Sequence, residues 1–510
     1  MKKLILIDTS SDIYGFATRR LSAFVNAHSS WVSEILFLSS MRHPLFSQHQ
    51  TYYTLNNEKI KSILELISNA QVIAFSVMLV GEKVAAQLSE KIKQEYPAKI
   101  IIWGGAHTTA SGERCLKWAD YICVGEGEYS LVEFLKQIEN NNFCVNVPGI
   151  YQIKNNKIYG SGIRPLEKDL DQLGYPLHGD GCFIFEGNKI MPLNKEKETQ
   201  FFGGTFHALL TQGCPMRCTY CANSALINYN GEYALVRAYS IKKYLSYLSD
   251  LCCKYQITSV IFQDDSFFSL SIHAIKEFSE QWRKLLGLPF TVLGVSPLNF
   301  NEKKMDYLLG VGLQRIRVGI QSGSEQIRYD ILQRKYSNKL LIQISEIISQ
   351  KKIPECDYDF ILDNPWETWQ HKLEGLKLLS YMSKPHILNL FGMTFFEGTE
   401  LYEKAKTEGY LPEENYLNAI NYLSVKSNYI NLLYMIYGVF HIPPWLLKLF
   451  TPKVVLRKDP SIPSFILAFF KILRYLTVAV KRVFRGDTTN LPYFIVRWMR
   501  LFKTPSMIKR

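Results

Sequence analysis

Ten cysteines in 510 residues are too few for a chain stapled by disulfides, and a chain of this length buries enough apolar surface to fold without them. Also lacking is any run of about 18 uncharged apolar residues, so no spanning helix is expected. The opening MKKLILIDTS places two lysines ahead of an apolar run, but Asp8 ends that run after four residues. That is too short for a signal peptide, and the expected compartment is the cytosol, where thiols stay reduced. There is no tandem repeat and no low-complexity tract. What is present is 47% hydrophobic, 13% aromatic and 21% charged, a balance that excludes a disordered chain, a collagen-like repeat and a simple coiled coil. Acidic residues are scarce at one end only. From Leu446 to Arg510 the net charge is +12, against +13 for the whole chain, so the basicity belongs to one segment and says nothing about the rest.

Along the first 140 residues short apolar runs alternate with helical patterns. Strands are expected at Lys3–Ile7, Glu34–Leu38, Val72–Ser76, Lys99–Trp103 and Tyr121–Val124, with amphipathic stretches such as Glu82–Gln94 between them. Branched apolar runs separated by helices predict a parallel sheet covered on both faces, a doubly wound α/β domain that binds ligands beyond its C-terminal strand ends. Gly149–Tyr159 reads as a hairpin turning at Asn155-Asn156, and Arg164–Pro176 as a polar linker. A second series follows, with strands expected at Phe206–Thr211, Ser259–Phe262, Phe290–Gly294, Arg315–Ile320, Asp357–Ile361 and Leu388–Phe395. Its strand–helix repetition predicts a parallel barrel or partial barrel, whose site forms at the C-terminal strand ends. After about Tyr422 the chain turns helical, aromatic and basic.

The most informative stretch is Cys214-Pro215-Met216-Arg217-Cys218-Thr219-Tyr220-Cys221, just after the first strand of the second series. Three thiols on one strand-end loop can face a common point, and thiolates favour zinc, Cu(I) or iron–sulfur clusters. A cubane cluster takes four cysteines in the ordinary case. Three would leave one iron open for chemistry. The alternatives are a zinc knuckle or unrelated buried thiols, but zinc sites pair their ligands in two separated units and no second pair follows, since Cys252-Cys253 are adjacent in a helical pattern.

This stretch resembles the signature of the radical S-adenosylmethionine enzymes. The likeness continues through Val236-Arg237, Ser240 and Phe262-Gln263-Asp264-Asp265-Ser266-Phe267, which are similar to the second strand of that family's cobalamin-containing branch. Val318-Gly319-Ile320-Gln321-Ser322-Gly323 resembles its GIES strand with Gln321 for Glu. Asp363-Asn364-Pro365-Trp366-Glu367-Thr368 resembles G-x-P-G-E-T with Asp363 and Trp366 for glycines, and Phe396-Glu397-Gly398-Thr399-Glu400-Leu401 resembles P-G-T-x-L with Glu397 for Pro. The resemblance implies that Cys214, Cys218 and Cys221 hold a [4Fe–4S] cluster and that S-adenosylmethionine chelates its fourth iron. It implies reductive cleavage of the sulfonium to a 5′-deoxyadenosyl radical. Tyr220, Asp264, Ser296, Gln321 and Ser322 would contact that cofactor; alternatively, Asp264 caps a helix and Ser322 closes a turn.

In the first series Gly104-Gly105-Ala106-His107 and Gly125-Glu126-Gly127-Glu128 follow successive strands, and glycine there lets a flat ligand approach the backbone. Ahead of the cysteine motif these loops resemble the cobalamin-binding domain of the same branch. No Asp-x-His-x-x-Gly is present to supply a histidine to cobalt, so cobalamin is expected base-off, about one per chain, with His107 near its nucleotide tail. The alternative is a domain kept as scaffold only.

Together these readings predict a cobalamin-binding domain over residues 1–147, a hairpin and linker over 148–195, a radical S-adenosylmethionine core of partial (β/α)6 form over 196–425, and a helical basic segment over 426–510. In that segment Lys471, Arg474, Lys481, Arg482 and Arg485 fall within an arc of about 100° on a helix, with a second basic-aromatic stretch at Tyr493–Lys503. Membrane-surface contact is expected; a lid helix with its cations toward solvent is the alternative, and nucleic acid is not expected as a partner. The expected activity is methyl transfer to an unactivated carbon or phosphorus of a small-molecule or lipid-like substrate, with an external donor such as flavodoxin or ferredoxin. Cyclisation or rearrangement on the same architecture, or an iron–sulfur electron-transfer protein, are the alternatives.

Overall fold

The run Lys3–Asp8 is apolar on both sides of the strand and belongs in the middle of a covered sheet; Leu4 to Ile7 are at most 1% exposed. In the computed structural model, which describes residues 2–10, 13–40, 55–144, 146–384, 387–411, 425–440 and 442–484, this strand is β1. With it run β2 (Val32–Ser40), β3 (Val72–Ser76), β4 (Ile100–Gly104) and β5 (Tyr121–Cys123), all parallel, in the order 5-4-3-1-2. That is the flavodoxin-like doubly wound order, and amphipathic helices such as Glu82–Glu95 and Glu128–Glu139 cover it.

Two hairpins extend this sheet. β6 (Ile150–Lys154) and β7 (Lys157–Gly160) add antiparallel strands beside β5. Asn155 and Asn156 both take positive φ, 50° and 58°, as the expected tight turn requires. At the other edge β8 (Cys182–Glu186) pairs with β2 and turns back as β9 (Lys189–Pro192). This second hairpin is additional to the expected one, and Gly187-Asn188 between two apolar runs is its turn signal. Arg164–Pro176 holds only a single 3₁₀ turn, Leu170–Leu173.

The second sheet is six-stranded and parallel: β10 (Thr205–Ala208), β13 (Ser259–Phe262), β14 (Phe290–Val295), β15 (Leu313–Gln321), β16 (Glu355–Leu362) and β17 (Ile387–Gly392), with each strand beside the next in the chain. This is the expected partial barrel. The first strand is shorter than expected, because the chain bends after Ala208 and resumes as the short β11 (Thr211–Gln212); β12 (Arg237–Ala238) is equally short. On the helix-covered side Phe262, Phe278, Trp282 and Phe290 stack within 4.8–6.1 Å of one another, a wall that excludes water from that face.

The chain divides into two compact units. One comprises Met1–Gly203, Cys221–Ser240 and Phe396–Glu403; the other comprises Gly204–Tyr220, Ile241–Phe395 and Lys404–Arg510. The second ends in helices at Tyr429–Val439, Pro444–Phe450, Lys453–Lys458 and Ser464–Phe484. Among the described residues no helix is long and apolar enough to cross a membrane. Arg485 and the stretch 493–503 lie outside the described residues, as do the side chains of Lys481 and Arg482.

Candidate functional site

Gly213, at φ +95°, turns the chain out of β11 and into the cysteine loop. The ten cysteines all lie among the described residues and form no disulfide. Cys214 is half-buried, and burial pushes its thiol up. Cys218 is buried. Cys221 is the N-cap of the Ala222–Tyr229 helix. Among the described residues no three His, Cys, Asp or Glu side chains gather closely enough for a single metal ion. A cubane asks for something else: each thiolate binds its own corner iron, so its ligands stand apart. A loop of three thiols within eight residues fits that group.

The side chain that organises the Cys214–Tyr220 loop is one that sequence reasoning missed. Arg334 is buried and donates to Cys218 Sγ at 3.2 Å, Ser296 Oγ at 3.2 Å, the Gly319 carbonyl at 3.1 Å and the Tyr220 hydroxyl at 3.4 Å. Tyr336 packs under it, 5.4 Å from ring to guanidinium. The chain reaches Arg334 through a π-helical turn, Ile327–Ile331, whose last carbonyl accepts the Thr219 hydroxyl at 2.5 Å. Three residues expected at the cofactor, Cys218, Tyr220 and Ser296, thus meet at one guanidinium. Its 116-residue separation from Cys218 hid it.

Asp264 plays a different part from the one expected. Its buried carboxylate accepts from the Thr211 N–H and hydroxyl, both at 2.6 Å, and from Leu210 N–H at 3.3 Å. It pins the strand that leads into the cysteine loop rather than facing outward. Burial, only partly offset by the Thr211 hydrogen bonds, raises its pKa to about 7. Because the unfolded group ionises near 3.8, folding takes up a proton between these values and stability falls as pH rises through them. Asp264→Asn is therefore expected to flatten the loss of thermal stability from pH 5 to pH 8 by a few degrees, read as melting midpoints of the two chains. An unchanged slope would refute the assignment.

Ser322 donates its hydroxyl to Glu367 at 2.5 Å, and burial raises the Glu367 pKa to about 7. Gln321 ends β15 at φ +71°. The departures from the family's glycine and proline motifs have local reasons. Asp363 holds a left-handed φ of 61°, and its carboxylate accepts from Lys426 N–H and Asn431 Nδ2, each at 2.8 Å. Trp366 donates to Glu408 at 2.6 Å. Glu397 accepts from Arg114 at 2.8 Å and from Ser111, contacts that a proline could not make.

In the first unit the glycine loops stand at the C-terminal ends of β4 and β5. His107 is buried beside Glu82, Arg114 and Ser111, each at 3.4 Å. Glu126 is clamped by Arg237 at 2.5 and 3.0 Å. Gly105 is required for an internal reason: at φ +98° a Cβ would stand 2.8 Å from the backbone N and O of Val77. Gly125, at φ +91°, is the open one; a Cβ there meets only the Tyr233 hydroxyl at 3.5 Å. Gly104 and Gly127 have ordinary contacts, the nearest at 3.6 Å. The Cβ side of Gly105 is therefore filled by Val77, and that of Gly125 is nearly empty. Gly105→Val is expected to disrupt the domain itself, whereas Gly125→Val should fold, strained by about 1–3 kcal/mol, and lose cobalamin. Circular dichroism and cobalamin retained through gel filtration separate the two; a Gly125→Val chain holding one cobalamin would refute the placement.

The B12-binding domain family matches residues 46–135, and the radical SAM superfamily matches residues 209–378. The chain carries a B12-binding domain followed by a radical SAM domain. Its cofactors are accordingly a [4Fe–4S] cluster, S-adenosylmethionine and cobalamin. An uncharacterized methyltransferase of Pyrococcus horikoshii, PH0819, is 25% identical to this radical SAM enzyme over 250 residues, 48% of this chain and 49% of its own length; the chain thus spans about half of that curated relative. Two solved structures share the fold. The cobalamin-dependent radical enzyme OxsB, with aqua-cobalamin bound, matches with a TM-score of 0.64 at 15% identity, over 98% of this chain and 75% of its own. The methyltransferase TsrM of Kitasatospora setae, with cobalamin and a [4Fe–4S] cluster bound, matches at 0.61 and 14%, over 80% and 78%.

Proposed function

We propose that this radical SAM enzyme is a cobalamin-dependent methyltransferase acting on an unactivated carbon or phosphorus of a small-molecule or lipid-like substrate. The observation that carries the reading is one chain holding both a flavodoxin-like sheet with an open glycine at its C-terminal edge, Gly125, and a six-stranded parallel sheet fed by the three-thiol loop. When bound, the cluster supplies a one-electron reductant and cobalamin a methyl carrier.

The protein's own residues do the rest. Cys214, Cys218 and Cys221 ligate the cluster. Arg334 sets a positive charge against the Cys218 sulfur, and Asp264 holds the approach to the loop. On β15 to β17 the face bearing Gly319 and Gln321 also carries Arg317, Asp359 and Asn389, with Arg317 Nε 2.7 and 2.8 Å from the two Asp359 oxygens and Asn389 3.0 Å from one of them. That face offers hydrogen bonds to a polar group of the substrate. Gly104, Gly125 and Gly127 leave the β4–β5 edge low for cobalamin, without a histidine on cobalt. An external donor such as flavodoxin or ferredoxin supplies the electron, in the cytoplasm, with residues 446–510 in peripheral contact with a membrane.

The test is product balance. Reduced, reconstituted protein given S-adenosylmethionine and cobalamin should form both 5′-deoxyadenosine and S-adenosylhomocysteine, because methyl transfer leaves the latter behind. 5′-Deoxyadenosine alone would point to cyclisation or rearrangement. Neither product would leave an electron-transfer role.

A further inference from the structure

The Ser464–Phe484 helix has two contrasting sides. At about 100° per residue, Phe465, Phe469, Ile472, Leu476 and Val480 fall within an arc of about 80°. All five are exposed, from 53% to 72%. The cation-bearing positions fall on the opposite side. There Leu467 is buried, and Arg474 lies over Gly438 of the Tyr429–Val439 helix, where a Cβ would meet Arg474 Cδ at 3.2 Å. A lid would turn its apolar side inward and its cations out. The helix is rotated the other way, with its apolar side to the outside.

Exposure of this kind marks an interaction surface. The surrounding charge identifies the partner. Lys448, Lys453, Arg457, Lys458 and Lys471 are exposed. Asp459, the one acid in the sequence from Leu446 to Phe484, is already engaged by Ile430 N–H at 2.9 Å and by Lys372 at 3.6 Å. A second copy of the chain would bring two segments of net +12 together, which repel. An anionic bilayer neutralises the same charge and takes up the phenylalanines.

We infer that the Phe465–Val480 stripe is the face that enters an anionic membrane interface. This rests on the peripheral-contact reading above and deepens it: the apolar stripe leads, and the cations on the other side of the helix contribute second. The contact holds the enzyme at the surface where a lipid-like substrate resides.

The experiment is co-sedimentation of the full chain with vesicles of phosphatidylcholine and phosphatidylglycerol at 7:3. Wild type should pellet with them, less so in high salt, and hardly at all with phosphatidylcholine alone. Phe469→Glu/Ile472→Glu should cut pelleting about tenfold or more while 5′-deoxyadenosine formation stays at the wild-type rate. Lys471→Gln should cut it by no more than about fivefold. If wild type does not pellet, both the contact and the face are wrong. If wild type pellets and the double glutamate variant pellets equally, the contact stands and the face is wrong. A lipid-free dimer abolished by the double variant would assign the stripe to a second copy. Stronger pelleting by a chain ending at Phe484 would assign it to residues 485–510. Either result overturns the inference.

Discussion

Replacement of Cys214, Cys218 or Cys221 with alanine is expected to abolish the visible absorption of the reconstituted cluster and to bring 5′-deoxyadenosine formation below detection. Each thiolate would hold an iron of its own, so the loss of one could not be made good by the other two. Cys252→Ala and Cys356→Ala are the controls. Both thiols are buried, which pushes the Cys252 thiol up to about 12 and that of Cys356 well above its ordinary value. They stay protonated and inert. The Cys356 variant should lose some thermal stability to the void left in β16 but keep full cluster content. Iron and sulfide analysis of the five variants decides the matter; equal loss in all five would remove the ligand assignment.

Arg334→Met is expected to have the next largest effect. The guanidinium donates to the Cys218 sulfur and to Ser296 and Gly319 from a buried position. A charge-assisted hydrogen bond is worth about 1.5–3 kcal/mol. Losing it from a cluster sulfur disfavours the added electron and lowers the reduction potential by about 60–130 mV for a one-electron couple. Cleavage of S-adenosylmethionine should then fall by about tenfold to a hundredfold under a fixed donor, with a raised KM if the same charge also faces the cofactor's carboxylate. Arg334→Lys should restore much of the potential, as the charge returns, but less of the geometry. A potential unchanged in Arg334→Met would reduce this residue to a packing role.

The architecture was legible because its signals are periodic and local. Apolar runs such as Lys3–Asp8 and Val72–Ser76 are strands that both faces of a sheet must cover, and the alternation with amphipathic helices permits only parallel connections. Three thiols within eight residues are likewise a local pattern, which is why the cluster loop could be read before any contact was known. The second hairpin, Cys182–Pro192, has only the two-residue turn Gly187-Asn188 as its local signal, and its strands are short.

Other features are contacts between distant parts of the chain, and these the tertiary structure decided. Arg334 meets Cys218 only because β15 lies in the same sheet as β10, the strand before the cysteine loop. Asp264 binds Thr211 because β13 is the neighbour of β10. In the sequence each is one polar residue among many, and whether it faces a cofactor or a backbone amide depends on a partner that folding brings in. The two loop glycines make the same point: Gly105 and Gly125 are alike as letters, but one Cβ would strike the Val77 backbone at 2.8 Å and the other would meet only the Tyr233 hydroxyl at 3.5 Å. The terminal helix is the last case. Its amphipathic pattern is a property of spacing and belongs to the sequence alone. Which side faces outward is set by the Tyr429–Val439 helix packed against it, and that neighbour lies over Arg474 and leaves Phe465 and Phe469 exposed.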